Sequence, residues 1–169
     1  MKKPYILILL AVLFSVSTNF AQSDKEKQLT EIAEKLRNDA TGNVFLKTLK
    51  PTMDDFQKIF VTVDDVGEVW MYTEEMYTSM KEGAVKPGAN RTETIVLNVT
   101  SANLKAGAEH QMPGGYNWIK DKFKNGITIY GLKFVEPGKT SGYSLNAFFF
   151  VNNHWVCIPK VYRAFPRED

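Results

Sequence analysis

The first half of the chain beyond residue 22 carries apolar residues at helical spacing. A capping box at residues 23–26 starts a predicted amphipathic helix over residues 24–37. Thr52 caps a second predicted helix, and a third begins after Thr62. The third helix carries a single apolar stripe, which we interpret as core: Val66, Val69, Trp70, Thr73, Met76, Tyr77 and Met80.

From about residue 92 the apolar period changes from 3.6 to 2, which indicates strands. Ile95, Leu97 and Val99 alternate with other positions in the first of them. Three more strands are predicted at residues 127–135, 143–151 and 154–159. The predicted fold class is therefore α+β, with N-terminal helices packed on a curved antiparallel sheet of about four strands.

The last two strands are joined by Asn152-Asn153, a pair suited to a tight two-residue turn. Such a turn places Phe150 opposite Trp155 and Phe148 opposite Cys157. One predicted face carries Phe148, Phe150, Trp155 and Cys157, and the other carries Leu145, Ala147, Phe149, Val151, Val156 and Ile158. Both faces are apolar. One would pack on the helices, and the other would line a cavity or be buried against a partner.

The N-terminus has the three-part pattern of an export signal. Lys2 and Lys3 precede an uninterrupted apolar run at residues 6–14, and polar residues then lead to the small Ala21. This run is shorter than the about 20 residues of a membrane span. We therefore predict a signal peptide over residues 1–21, cleaved near Ala21, and a single domain over residues 22–169. The domain would be periplasmic or secreted, with no membrane association after cleavage.

The predicted signal accounts for the small positive net charge of the chain. The chain has 21 Lys and Arg residues against 19 Asp and Glu, and both surplus cations are the lysines that open the signal. The remaining 19 basic residues match the 19 acidic ones, so the exported domain is neutral. Nucleic-acid binding needs a clustered excess of positive charge, and this composition argues against such a partner.

The residues of common catalytic and metal sites are scarce in this sequence. Cys157 is the only cysteine, so no disulfide forms within the chain, and two histidines make a poor metal set. We expect no metal and no cofactor. Cys157 and His154 stand three residues apart on one strand and point to opposite faces, so we expect a buried cysteine rather than a nucleophile. The pair Asp54-Asp55 suits a helix start through the macrodipole.

Seven residues are candidates for a ligand site. The loop from His110 to Tyr116 combines a titratable ring, two glycines and an aromatic ring, although a surface turn is the favoured explanation. Tyr143 and Trp155 offer an aromatic wall or core packing. Three cations could bind a carboxylate or phosphate, or they could simply form a solvated charged face: Lys139, Lys160 and Arg163.

The order of helices and then strands resembles the small folds called NTF2-like and cystatin-like. The runs at residues 134–139, 150–155 and 158–163 are also similar to the ends of small exported bacterial proteins of no assigned function. The first resemblance implies helices against a strongly curved sheet. It also implies the option of a homodimer formed through the convex side of that sheet.

The leading functional hypothesis is an exported, non-catalytic binding or interaction domain. Its curved sheet would hold a small apolar ligand or a protein partner. The first alternative is an NTF2-like enzyme with His110 or Tyr116 as the acid–base group in the sheet cavity. The second is an inhibitor or immunity-type protein, whose loops at residues 105–116 and 136–142 would insert into an enzyme.

Overall fold

The computed structural model describes residues 24–166, and the predicted signal over residues 1–21 lies outside them. Within the described range the predicted α+β class is confirmed, because helices precede a four-stranded antiparallel sheet. The helices are α1 (24–38), α2 (Val44–Lys47), α3 (Met53–Ile59), α4 (Val63–Ser79), α5 (Ser101–Lys105) and α6 (Gly115–Trp118). The strands, in both chain and sheet order, are β1 (Glu93–Thr100), β2 (Thr128–Val135), β3 (Gly142–Val151) and β4 (His154–Cys157). Short 3₁₀ turns span Lys120–Lys122 and Val161–Ala164.

Helix α4 begins where the sequence predicts, because a capping box satisfies its first backbone amides. The amide of Asp65 donates to the Thr62 hydroxyl at 3.0 Å, and the Asp65 carboxylate accepts from the Thr62 amide at 3.2 Å. The predicted core stripe is wrong at Trp70, whose side chain is 42% exposed. Trp70 stands at the edge of the stripe, where the helix surface turns towards solvent.

Both faces of the sheet are covered by the chain's own helices. On one face α3, the first half of α4 and the segment before β2 form a core that includes Phe56, Val69, Phe123 and Phe149, here called the α3 core. On the other face α1, α2 and Tyr77 form a core that includes Leu29, Leu36, Phe134 and Phe148, here called the α1 core. The expectation that one face of the hairpin lines a cavity or awaits a partner is therefore wrong. Helix α1 covers the face that carries Phe148 and Cys157, while α3 and α4 cover the face that carries Phe149.

The terminal hairpin has the predicted register. Phe150 pairs with Trp155 and Phe148 pairs with Cys157. Asn152 and Asn153 have φ values of 49° and 61°, which is the backbone of the tight turn that asparagine tolerates. These contacts confirm the assignment of Cys157 to the Phe148 face, within the α1 core.

A β-bulge in β3 overturns the predicted position of Leu145. Tyr130 of β2 pairs with Phe148, but the next residue, Gly131, pairs with Asn146, so Ala147 is an extra residue. Its φ is 68°, and its carbonyl accepts the amide of Ile158 at 2.9 Å. Because the inserted residue resets the alternation, Leu145 lies in the α1 core and not beside Phe149.

The bulge predicts an unusual order of tolerance at position 147. Ala147 is fully buried and left-handed, so Ala147→Val adds both a strained β-branched backbone and excess volume. We expect the free energy of unfolding in urea to fall by about 2–4 kcal/mol. Ala147→Gly relieves strain while losing one methyl group, so its change should stay within about 1 kcal/mol. A valine variant as stable as the glycine variant would contradict the bulge.

Candidate functional site

A pocket of about 530 Å³ opens at the edge of the sheet beside β3. Strand β4 pairs with β3 only from Phe148 onwards, so the first half of β3 has no strand on its outer side. The space is bounded instead by the second half of α4 with the turn after it, and by residues 159–163. The pocket therefore exists because β4 is shorter than β3.

The walls of the pocket combine aromatic and thioether side chains. Tyr72, Met76 and Met80 come from α4 and its end, and Tyr143 comes from β3. The Tyr72 hydroxyl donates to the carbonyl of Pro159 at 2.8 Å, which ties α4 to the segment that closes the pocket. Burial raises the pKa of Tyr143 to about 12, so its phenol is neutral at neutral pH.

Three cations stand around this pocket. Lys81 follows α4, whereas Lys160 and Arg163 belong to the segment after β4. Within residues 24–166 none of these three side chains forms an ion pair or a side-chain hydrogen bond. No Asp, Glu or His of the described chain lines the pocket. Among the residues that the structure describes, the site therefore carries positive charge without a counter-ion.

Asn146 supplies a polar group inside the pocket, and the bulge explains its orientation. Asn146 lies next to the extra residue Ala147 and is buried. The fully buried Tyr116 donates its hydroxyl to the Asn146 side-chain oxygen at 2.7 Å. With the oxygen engaged, the amide NH₂ of Asn146 is the group left to donate to a ligand.

The structure brings together three of the seven predicted site residues. Tyr143, Lys160 and Arg163 line one pocket, and Tyr116 lies behind it through its bond to Asn146. Tyr116 is therefore part of the core rather than of an exposed rim. Sequence reasoning missed Tyr72, Met76 and Lys81 as pocket residues. Their helical spacing is the same for core and pocket walls, so the pattern contains no signal that separates the two.

The other three candidates lie away from the pocket. Lys139 occupies the exposed turn before β3. The Nε2 atom of His110 lies 2.9 Å from the side-chain oxygen of Asn117, close to α6. The indole of Trp155 donates to Gln28 of α1 at 2.9 Å, so it packs against a helix and not a ligand.

A second polar cluster joins the hairpin tip to the start of α3. The fully buried Asp55 carboxylate accepts bonds from the Thr52 amide at 2.8 Å and the Thr52 hydroxyl at 2.7 Å. Its other contacts come from the hairpin: the side-chain amide of Asn152 donates to it at 2.8 Å, and the Nε2 atom of His154 lies 3.2 Å away. Sequence reasoning explained Asp55 only by the helix dipole and missed His154 as its partner.

This cluster contains the acid and the imidazole of a catalytic triad but has no nucleophile in place. The hydroxyl that contacts Asp55 belongs to Thr52, and it donates to Asp55 instead of to His154. The other ring nitrogen of His154 lies 3.2 Å from the carbonyl of Asn152. The contacts are those of a clamp that fixes the hairpin on α3, so we interpret the cluster as structural.

We also interpret Cys157 as a structural residue, because of its surroundings. The side chain is fully buried in the α1 core. Burial raises the pKa of its thiol well above the ordinary value, so the reactive thiolate is not formed at neutral pH.

Searches for a metal site, a membrane-spanning helix and similar proteins do not assign a function to the described residues. In the range 24–166, no group of three potential ligands among His, Cys, Asp and Glu is arranged to hold a metal ion. Over the same range, no helix has both the length and the apolar character needed to cross a bilayer. Comparison with protein-family models, curated proteins and solved structures finds no match to this chain. The resemblance to NTF2-like and cystatin-like folds stays a prediction.

The Asp55 clamp predicts a large difference between two neighbouring aspartates. Asp55→Asn replaces a buried acceptor of four contacts by an amide, and we expect a loss of about 1–3 kcal/mol in the free energy of unfolding. Asp54→Asn changes the exposed residue beside it, and its effect should stay below about 0.5 kcal/mol. Urea unfolding of both variants measures the difference. Equal effects would show that the clamp does not stabilise the fold.

The same carboxylate gives the stability a defined pH dependence. Burial by itself raises the pKa of Asp55, but the bonds from Thr52 and Asn152 outweigh it and hold the pKa below its ordinary value of 3.8. The resulting stability is present above about pH 4 and is lost as the pH falls through the folded-state pKa. We expect the stability gap between wild type and Asp55→Asn to narrow in urea titrations below about pH 4. A gap that stays constant down to acid unfolding would contradict the assignment.

Proposed function

We propose that this chain is an exported binding domain and that its site is the pocket between α4, β3 and residues 159–163. The observation that carries the proposal is the composition of that pocket. A volume of about 530 Å³ lies within the usual range for small-molecule sites, and its walls include Tyr72, Met76 and Tyr143. Such walls suit a small ligand with an apolar or aromatic part.

The same composition favours binding over catalysis. A proton-transfer enzyme of the NTF2-like type needs an acid or base with a pKa near the working pH. The described lining has phenols, hydroxyls, an amide and cations, but no carboxylate or imidazole. Burial raises the pKa of Tyr116 well above its ordinary value, and His110 lies outside the pocket. Among the described residues, the enzyme alternative therefore has no carboxylate or imidazole at this site to act as acid or base.

A protein partner or a second copy is the other form of the binding hypothesis. Helix α4 exposes three large apolar side chains: Val63, Trp70 and Met71. These residues make α4 a surface on which a protein could bind. The ligand site is distinguished from it by position, since none of the three lines the pocket.

If the pocket is a binding site, a small amphipathic molecule should cause saturable chemical-shift changes confined to the residues around it. 4-Phenylbutanol and 4-phenylbutyrate are suitable probes, because each has an aromatic ring and a short chain. We expect backbone ¹H–¹⁵N shifts of the exported domain to change at residues of α4, β3 and 159–163. Ala84→Trp should abolish the changes, because Ala84 lines the pocket and the indole would fill it.

The control is Ala89→Trp, which adds the same side chain at an exposed position away from the pocket. It should bind the probes as the wild type does. Changes that are scattered over the surface, or that survive in Ala84→Trp, would disprove the pocket as the binding site. Native mass spectrometry of the same samples reports whether the protein is a monomer or a dimer.

A further inference from the structure

The cations of the pocket differ from the three Lys and Arg side chains of the described chain that do pair with an acid, Arg37, Lys50 and Lys122. Lys50 pairs with Glu74 and Lys122 pairs with Asp65, each at 2.8 Å. Lys81, Lys160 and Arg163 pair with no acid within residues 24–166, although all three border one small space. All three residues are exposed at the rim of this space. Like charges that border one site repel one another, and an anion between them reduces that repulsion.

Backbone geometry contributes to this arrangement. Lys160 has a φ of 55°, a left-handed conformation that is uncommon for a residue other than glycine or asparagine. It directly precedes the 3₁₀ turn that carries Arg163, so the turn presents both cations to the pocket. A left-handed residue of this kind costs free energy, and such residues cluster at active sites, ligand clamps and switch regions.

Asn146 adds a neutral donor to the same site. The bulge places Asn146 beside Ala147, and the bond from Tyr116 fixes which end of its amide is free. An amide NH₂, a guanidinium and an ammonium are all donors, and together they match the acceptor oxygens of a carboxylate. The apolar walls would disfavour a strongly hydrated dianion such as a phosphate monoester.

We infer that the ligand is a small organic carboxylate with an apolar or aromatic body. The inference rests on the proposed function and names the chemical class that the site binds. The body packs against Tyr72, Met76 and Tyr143, and the carboxylate accepts bonds from Arg163, Lys160 and the Asn146 amide. The opposing charge of the ligand offsets the repulsion between the cations.

Paired probes test the charge separately from the binding. The dissociation constants of 4-phenylbutyrate and 4-phenylbutanol are measured by the same ¹H–¹⁵N titration of the exported domain. We expect the acid to bind about tenfold more tightly or better, since a charge-assisted hydrogen bond is worth that ratio. Added salt should weaken the acid and leave the alcohol unchanged.

Variants assign the effect to named side chains. Arg163→Gln should reduce the affinity for the acid about tenfold while leaving the alcohol unchanged. Lys160→Asn should act in the same direction, and asparagine tolerates the left-handed backbone at that position. Lys139→Gln is the matched control, because it removes a lysine from an exposed turn outside the pocket. The amide spectrum of each variant verifies its fold.

The outcomes separate the two proposals. Equal affinity for acid and alcohol, with shifts confined to the pocket, would overturn the carboxylate inference and leave the binding site intact. A preference for the acid that Lys139→Gln removes and Arg163→Gln does not would also overturn it. Absence of any localised binding by either probe would overturn both the inference and the proposed function.

Discussion

The extra residue in β3 is the constraint on which the rest of the structure depends. A strand presents alternate residues to alternate faces, so one inserted residue exchanges the faces of everything on one side of it. Here the insertion at Ala147 lets Phe149 pack into the α3 core while Leu145 packs into the α1 core. The bulge thus allows β3 to contribute apolar side chains to both cores.

The same insertion links the fold to the pocket. Asn146 and Ala147 stand together at the bulge, where Asn146 bonds to Tyr116 and Ala147 accepts the amide of Ile158. The second contact holds the chain that leaves β4, and that chain then carries Lys160 and Arg163 to the pocket. A bulge beside a binding site commonly has this role of redirecting a side chain.

Two attachments fix the terminal hairpin at its opposite ends. At the tip, Asn152 and His154 contact the buried carboxylate of Asp55 at the start of α3. At the base, Tyr77 of α4 donates its hydroxyl to the carbonyl of Cys157 at 2.8 Å. Because both attachments come from the helices, the sheet and the helical layer are held in one relative position. The pocket lies at the edge of the sheet between β3, α4 and residues 159–163, so its shape depends on both contacts.

Local patterns in the sequence were sufficient to predict the helices and strands. Helical spacing, the capping residues Thr52 and Thr62, and the turn at Asn152-Asn153 act over a few residues, and the structure confirms the helices, the strands and the hairpin register that they predict. The fold class followed from the order of those elements. Tyr143, Lys160 and Arg163 were also recognised as candidates, because their residue types suit a ligand.

Tertiary structure alone decided the contacts between distant residues. Position 55 contacts a histidine 99 positions later, and Tyr116 contacts an asparagine 30 positions later. The pattern of apolar residues is the same for a core wall and a pocket wall, and Ala147 has no feature that marks it as the extra residue. What the sequence by itself determined is therefore the set of elements and their order. Which face each side chain occupies, and which cations share a pocket, was decided by packing, because a shift of one residue is enough to change both.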